Sequence, residues 1–248
     1  MKHRKNIAAI ISAAGSSVRM GGVKKEYMPL GNDYTDSEGK PLSVLASAVS
    51  AFVRSQHIET IIITVPLNPE YGEYAARASL PESFLKEDSH PKILFVPGGI
   101  KRRISVHHAL SLLSAYSPDY VLIHDGARPW VDTDLIEKII DSVIEYNAVI
   151  PCLPVIETPK EIDGQGFVLR HLKRANVETA QTPQAFAYPD ILHAHEKAAE
   201  RELRDSVEYT DDAEVWGEFM GNVKVIKGSP ENRKITFPED IFKNEESL

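Results

Sequence analysis

The sequence has almost no cysteine and no long apolar run. Its 248 residues include one cysteine, Cys152, which excludes an intrachain disulfide framework and zinc sites built on cysteine. No window approaches the roughly 18 apolar residues that a membrane helix needs. The 28 Lys and Arg are outnumbered by 36 Asp and Glu, which gives a formal charge of −8 and argues against a nucleic-acid coat. We therefore expect a soluble, cytoplasmic protein that binds neither nucleic acid nor membrane.

Three familiar catalytic motifs are also missing. No Gly-Lys-Ser/Thr ends a glycine-rich loop, and neither Gly-x-Gly-x-x-Gly nor Gly-x-Ser-x-Gly occurs. Their absence disfavours P-loop enzymes, dinucleotide-binding folds and serine hydrolases. Basic residues at 1–5 followed by the apolar stretch 7–11 mimic a signal peptide, but a buried strand that leads into a tight turn accounts for them better.

The apolar pattern predicts an α/β fold. Short apolar runs typical of buried strands occur at 7–11, 58–65, 93–96, 120–123, 148–151 and 223–226. Between them, apolar residues recur at helical spacing within 44–52, 106–113 and 135–143. This alternation predicts a mostly parallel, Rossmann-like sheet flanked by helices, with function in the loops at the carboxyl ends of the strands.

Two stretches interrupt the alternation. Residues 31–41 are polar and turn-rich, so we expect an exposed loop. Residues 152–175 combine prolines and glycines with short β-prone pieces, which indicates a protruding hairpin or arm. No repeat or linker is visible, so we predict a single domain over 1–248 that carries this arm.

The loop after the first strand is positively charged. Between residues 1 and 27 there are six Lys or Arg and one Glu, or 6 − 1 = +5 within a protein of charge −8. Small residues at 13–17 let backbone N–H groups approach an anion, and Arg19, Lys24 and Lys25 add charge. This reversal predicts a polyphosphate ligand.

Two further predicted strands end in residues that are able to bind a ligand or a metal. Residues 98–106 place a glycine pair and three cations before a helix, where Ser105 is expected to cap that helix or bind a ligand. At 121–129 a strand ends in Asp125, which could hold Mg²⁺ together with substrate phosphates or pair with Arg128. His193 and His195 lie two apart on a predicted helix, so they are interpreted as surface histidines.

Taken in order, these segments resemble the 2-C-methyl-D-erythritol 4-phosphate cytidylyltransferase family of the non-mevalonate isoprenoid pathway. The family's Ala-Ala-Gly-x-Gly-x-Arg-Met, Pro-Lys-Gln-Tyr, Gly-Gly-x-x-Arg-x-x-Ser-Val and His-Asp-Ala/Gly-Ala-Arg-Pro are similar to 13–20, 24–27, 98–106 and 124–129. Its Asp-Thr-x-Lys, Thr-Pro-Gln, Thr-Asp-Asp-Ala and Asn-Ile-Lys are similar to 157–160, 182–184, 210–213 and 232–234. The resemblance covers about 7–241.

The chain departs from the family pattern at several positions. In the first loop Ser17 replaces a glycine, one residue is missing between 20 and 25, and Lys24 and Glu26 replace Pro and Gln. Glu157 replaces Asp and Arg233 replaces Ile, and the polar stretch 32–40 is longer than usual.

The resemblance implies transfer of CMP from CTP to a polyol phosphate with Mg²⁺ or another divalent cation. Arg19, Lys25 and Lys234 are then catalytic cations, and Asp125 orients the metal. The implied substrate-binding residues are Ala14, Gly15, Gly99, Arg102, Ser105, Asp125, Gly126, Arg128, Thr158 and Arg174. The resemblance also implies a homodimer through the arm at 152–175, with Arg174 acting across the interface.

Two alternatives remain open at this point. A cytidylyltransferase for ribitol 5-phosphate would share the fold, although the residues at 124–128 and 105–106 favour methylerythritol phosphate. A non-catalytic nucleotide-binding protein would also share it. The retained cations speak against that reading, whereas Ser17 and the shortened loop speak for it.

Overall fold

The computed structural model describes residues 4–17 and 20–242. Within them the strands are β1 (Ile7–Ser12), β2 (Ile58–Val65), β3 (Lys92–Pro97), β4 (Tyr120–Asp125), β5 (Ala148–Pro154), β6 (Lys160–Ile162), β7 (Val168–His171), β8 (Glu178–Ala180), β9 (Gln184–Ala187) and β10 (Lys224–Lys227). The helices are α1 (Val44–Arg54), α2 (Glu73–Ala78), α3 (Arg102–Leu113), α4 (Thr133–Tyr146), α5 (Asp190–Asp205), α6 (Asp212–Phe219) and α7 (Glu239–Phe242). All six predicted strands and all three predicted helices are present.

One mixed sheet dominates the structure, in the order β10-β5-β9-β4-β1-β2-β3, with β8 attached to β5. The pairs β3–β2, β2–β1, β1–β4 and β5–β10 are parallel. Only β9 and β8 run antiparallel to their partners in this sheet. The predicted α/β fold class, a mostly parallel sheet between helices, is confirmed.

The sheet is buried on both faces. Along β1, Ile7, Ala9 and Ile11 belong to a core formed with α1 and α4, whereas Ala8 and Ile10 belong to a second core formed with α3, α5 and α6. Successive side chains of a strand point to opposite faces, and the strand is apolar throughout because both faces carry helices.

The carboxyl ends of the parallel strands form one edge of the sheet. From β1 the chain moves to one side through β2 and β3, then returns to the other side of β1 as β4. Ser12 at the end of β1 therefore pairs with Thr64 of β2 on one side and with Asp125 of β4 on the other. Such a switch point in an open parallel sheet opens a crevice for ligands.

The two irregular stretches contain a hairpin and a loop, although residues 152–154 of the predicted arm still belong to β5. β6 and β7 form a separate antiparallel hairpin within 152–175, and the residues of β7 are exposed. The polar stretch 31–41 is a loop closed by an antiparallel bridge between Thr35 and Pro41. In the described part of the chain, no helix is long and apolar enough to cross a membrane.

Candidate active site at the switch point

A cleft of about 540 Å³ lies at the switch point. The first loop and the start of α3 line it, together with the ends of β1, β2 and β4 and the segment around Lys234. Of the residues predicted from the sequence, the lining includes Ala14, Gly15, Lys25, Gly99, Arg102, Ser105, Asp125 and Lys234. The structure thus brings together segments that are up to 220 residues apart in the chain.

Asp125 is the electrostatic centre of the cleft. One carboxylate oxygen lies 2.8 Å from the Lys234 ammonium and 3.4 Å from Arg128 Nε, and the other lies 3.6 Å from Arg102 Nε. Burial alone would raise the pKa of Asp125, but these three cations outweigh it and hold the pKa well below its usual range. The carboxylate is therefore ionised at neutral pH, and three positive charges converge on one point.

Asp125 meets the first requirement of a Mg²⁺ site. It is a carboxylate in an anion-binding cleft, and Mg²⁺ is commonly held by one or two carboxylates plus substrate phosphates. The described residues contain no group of three or more His, Cys, Asp or Glu that could hold a metal by themselves. The residues fit a metal that arrives with a nucleotide rather than one held in a protein cage.

Lys25 connects the first loop to the far side of the cleft. Its ammonium donates a hydrogen bond of 2.7 Å to the carbonyl oxygen of Ile235, directly after Lys234. Lys25 is buried, with an exposed fraction of 8%. Two predicted catalytic cations are thereby brought to one wall of the cleft, whereas the third, Arg19, lies outside the described residues.

The glycine pair after β3 allows two loops to meet. A Cβ atom on Gly98 would lie 2.3 Å from Ala14 Cβ, and one on Gly99 would lie 2.2 Å from Ile104 Cγ2. A side chain at Gly98 would push the two loops apart, and one at Gly99 would displace Ile104 of α3. Ser105 lies inside α3 rather than at its start, and its hydroxyl accepts a hydrogen bond of 3.0 Å from the Gly99 N–H. Of the two roles expected for Ser105, helix capping is wrong, because Lys101 occupies the N-cap position, and ligand binding stays a prediction.

His124 precedes Asp125 but does not face the cleft. It is completely buried, and its Nε2 lies 3.1 Å from the carbonyl oxygen of Arg128 while its Nδ1 lies 3.0 Å from Thr182 Oγ1. A carbonyl can only accept, so Nε2 carries the proton and Nδ1 accepts from the threonine. Burial lowers the pKa of His124 to about 4, which keeps the ring neutral. Thr182 Oγ1 also accepts from the Asp125 N–H at 3.1 Å, so this buried pair fixes the strand end.

A second buried carboxylate holds Arg102 from behind. Asp212 is 1% exposed and lies 2.8 Å from the Arg102 guanidinium, which bridges Asp212 and Asp125. His195 Nε2 lies 3.3 Å from Asp212. The prediction that His195 is a surface histidine is wrong: it is completely buried at the α5–α6 packing, whereas His193 is exposed. His193 is therefore exposed as predicted. Spacing along the helix did not identify His195 as buried, because its burial depends on packing against α6 and against His107 of α3.

Asp211 has a structural role. One of its carboxylate oxygens accepts the Glu214 N–H and caps α6, and the other accepts from Gln184. Asp211 therefore caps α6, and Asp212 pairs with Arg102.

Some predicted site residues lie outside the cleft of the same chain. Gly126 donates its N–H to the Ser12 carbonyl at 3.0 Å, and a Cβ atom there would lie a tight 3.2 Å from the same oxygen. Arg128 supports Asp125 and donates to the Asn232 carbonyl at 2.8 Å. Thr158 and Arg174 lie exposed on the arm, where Arg174 donates to the Ile156 carbonyl at 2.8 Å.

The cleft also includes residues that the sequence analysis did not assign. Ser12 ends β1, Thr64 is the last residue but one of β2, and Thr236 follows Lys234 by two residues. The positions of Ser12 and Thr64 at strand ends were a usable signal. The loop at 31–41 contributes indirectly, because Trp130 Nε1 donates to Tyr34 Oη at 3.1 Å and the Trp130 ring stacks with the guanidinium of Arg233 at 4.7 Å.

A cationic cleft at the switch point of a mostly parallel sheet, centred on one strand-end aspartate, is typical of α/β folds of the nucleotidyltransferase type. The family model described as "IspD: 2-C-methyl-D-erythritol 4-phosphate cytidylyltransferase" matches residues 7–248. The chain belongs to this family, and the resemblance stated from the sequence is confirmed.

Individual relatives agree with the family match. The chain is 38% identical over 243 residues to the "Bifunctional enzyme IspD/IspF" of Rhodopseudomonas palustris, covering 97% of this chain and 55% of the relative. It is 35% identical over 239 residues to the protein of the same name from Bartonella henselae, covering 95% and 55%. The chain thus spans about half the length of these curated relatives.

A solved structure provides a similar comparison over a whole chain. The 4-diphosphocytidyl-2C-methyl-D-erythritol synthase of Anaerococcus prevotii superposes with a TM-score of 0.74 at 31% identity, covering 96% of this chain and 94% of that one. The fold class and the assignment to a cytidylyltransferase family are therefore supported by sequence and by structure.

Proposed function

We propose that the protein transfers CMP from CTP to 2-C-methyl-D-erythritol 4-phosphate, releasing pyrophosphate and forming 4-diphosphocytidyl-2-C-methyl-D-erythritol. The observation that carries the proposal is the convergence of Lys234, Arg102 and Arg128 on Asp125, which lines the cleft together with Lys25. Family membership supplies the substrate pair. The similar protein from Anaerococcus prevotii is named as a synthase of the same product.

The chemistry requires charge neutralisation more than proton transfer. A phosphate monoester has a second pKa near 6, so the acceptor is largely dianionic at neutral pH and its oxygen needs no general base. That oxygen forms a bond to the α-phosphorus of CTP, and pyrophosphate departs with the electrons of the broken bond. Catalysis then consists of bringing two anions together and stabilising the charge of the transition state.

The residues of the cleft suit this task. Lys25 and Lys234 approach from two segments joined by the Lys25–Ile235 hydrogen bond, so both cations can act on the α-phosphoryl group. Arg102 is held in place between Asp125 and Asp212. We assign Arg19 the same role as Lys25 by the family motif. His124 is buried and neutral, so it serves structure rather than proton transfer.

Asp125, together with the phosphates of CTP, would hold a divalent cation, which is Mg²⁺ in our proposal. When bound, it neutralises phosphate charge and orients the triphosphate. Arg102, Arg128 and Lys234 restrain the Asp125 carboxylate beforehand. This arrangement keeps the carboxylate ionised and correctly placed.

We further propose that 1–248 is one nucleotidyltransferase domain that forms a homodimer through the arm at 152–175. Support comes from apolar side chains that the arm leaves exposed, among them Ile156 at 83%, Phe167 at 68% and Leu169 at 63%. In such a dimer Thr158 and Arg174 reach the acceptor in the partner's cleft. Phe167→Asp should shift the protein from dimer to monomer in light scattering, and a wild-type monomer would contradict the proposal.

We place the reaction in the cytoplasm. The free thiol of Cys152 suits a reducing compartment, and both proposed substrates are charged metabolites that a cytoplasmic enzyme can reach.

Pyrophosphate release tests the proposed function. Purified protein is incubated with CTP and Mg²⁺ and with methylerythritol 4-phosphate, ribitol 5-phosphate or no acceptor. We expect release only with methylerythritol 4-phosphate. Release only with ribitol 5-phosphate would change the acceptor but keep the mechanism, and CTP binding without release from either acceptor would point to a non-catalytic nucleotide-binding protein.

A further inference from the structure

The residues at which the first loop departs from the family pattern contact one another. The Lys24 ammonium lies 2.9 Å from Glu26 Oε2, and the Ser17 hydroxyl donates to the same oxygen at 3.4 Å. The side chains of Lys24 and Glu26 are only 3% and 6% exposed. The three substitutions thus form one connected unit rather than independent changes.

This unit connects the beginning of the first loop, at Gly15 and Ser17, to its end, at Lys24 and Glu26. Lys24 also donates a hydrogen bond of 2.8 Å to the carbonyl oxygen of Gly15. Ser17 adopts a φ of +50°, an uncommon conformation for a residue other than glycine, and its carbonyl accepts the N–H groups of Met20 at 2.8 Å and Gly22 at 3.3 Å. The Lys24–Glu26 pair therefore connects Gly15 and Ser17 to the segment that contains Lys24, Lys25 and Glu26.

Glu26 places a negative charge in the cleft, and Lys24 neutralises it. Glu26 lines the cleft beside Gly15, Ser17 and Lys25, where an anionic nucleotide binds in the proposed function. An unpaired buried carboxylate would repel phosphate groups strongly, because few water molecules screen it. Burial lowers the pKa of Lys24 whereas the charge of Glu26 raises it again, so each charge compensates the other.

We propose that Lys24 is a positioning residue for the nucleotide, which neutralises Glu26 and holds the Gly15 carbonyl so that the loop can accept the phosphates of CTP. The inference rests on the proposed function only in that the ligand is CTP. It predicts an asymmetry between the partners. Loss of Lys24 leaves a negative charge facing the phosphates, whereas loss of the Glu26 charge removes the repulsion together with the need for compensation.

The test is CTP binding measured by titration calorimetry without an acceptor. Lys24→Met should weaken binding at least tenfold, and Glu26→Gln should change it less than threefold because glutamine still accepts from Ser17. The double variant Lys24→Met/Glu26→Gln should bind at least fivefold tighter than Lys24→Met alone. The exposed pair Glu38–Lys40, at 3.0 Å and 71% exposed on both sides, provides the control Lys40→Met, which should bind as the wild type does.

Recovery of CTP affinity in the double variant distinguishes a positioning role of Lys24 from a general effect on protein stability. Circular dichroism and thermal unfolding show which variants are folded, and a purely structural role for Lys24 would lower thermal stability without the asymmetry in CTP affinity. A Lys24→Met variant that binds CTP less than tenfold more weakly than wild type would overturn the proposal, as would a double variant that binds less than fivefold more tightly than Lys24→Met. If Lys24→Met does not fold, the double variant decides: affinity within tenfold of wild type supports the proposal, and weaker binding overturns it.

The experiment also separates this inference from the proposed function. Wild-type protein that binds CTP but transfers CMP to no acceptor would contradict the proposed function, while the affinities of the variants would still decide the role of Lys24. Wild-type protein that binds no CTP would overturn both.

Discussion

Lys25 offers the sharpest quantitative prediction. The residue is 8% exposed and its ammonium is fixed by the Ile235 carbonyl, so its charge is only weakly screened. A lysine about 4 Å from a phosphate oxygen contributes about 4 kcal/mol at an effective dielectric constant near 20, which corresponds to nearly three decades of rate. Part of this energy also stabilises bound CTP, so we expect Lys25→Ala to lower kcat by two or more decades.

The same substitution should leave the protein folded. It removes the donor to one buried carbonyl, which costs about 1–3 kcal/mol of unfolding free energy. Steady-state pyrophosphate release at saturating CTP and acceptor measures kcat, and urea unfolding measures stability. Lys138→Ala, an exposed lysine on α4, is the matched control and should match wild type. A kcat for Lys25→Ala within threefold of wild type would remove Lys25 from the catalytic role.

Three other predictions concern the support of the cleft. Burial lowers the pKa of His124 in the folded protein to about 4, so the unfolded chain takes up the proton at a higher pH than the folded protein does. The free energy of unfolding should therefore fall by about 3 kcal/mol as the pH drops from 6.5 to 4. In urea unfolding at each pH, His124→Gln should lose this part of the pH dependence, and an unchanged pH dependence would refute the prediction. Gly98→Ala would place Cβ 2.3 Å from Ala14 Cβ and should weaken CTP binding at least tenfold in calorimetry; wild-type affinity would show that the two loops separate freely. Asp212→Asn removes the buried partner of Arg102 and should lower unfolding free energy by about 3 kcal/mol, whereas a change below 0.5 kcal/mol in urea unfolding, on the order of a surface substitution, would contradict its assigned role.

The sheet was predictable because its strands are buried on both faces. Continuous apolar runs such as 7–11 and 58–65 are too short for most helices and are typical of strands covered on both sides. The short antiparallel strands β8 and β9 were not predicted. They span three and four residues, too few to show a period, and their pairing with β5 depends on contacts distant in sequence.

The part of the candidate site that could be predicted consists of residues at or just after the ends of predicted strands. Asp125, Gly99 and Arg102 each follow or end a predicted strand, and the parallel topology brings them to one edge of the sheet. The support behind them was not predictable. The contact between Asp212 and Arg102 depends on how α6 packs, and the neutral state of His124 depends on complete burial; neither property is local to the sequence.

The identity of the product tests the central claim most directly. Phosphorus-31 nuclear magnetic resonance of CTP, Mg²⁺, methylerythritol 4-phosphate and enzyme should show pyrophosphate and a new diphosphate diester appearing in equal amounts. This result would establish attack by the acceptor phosphate on the α-phosphorus, the step that the cationic cleft around Asp125 is proposed to promote. Formation of CMP with pyrophosphate, or persistence of CTP beside an unchanged acceptor, would contradict the proposed reaction.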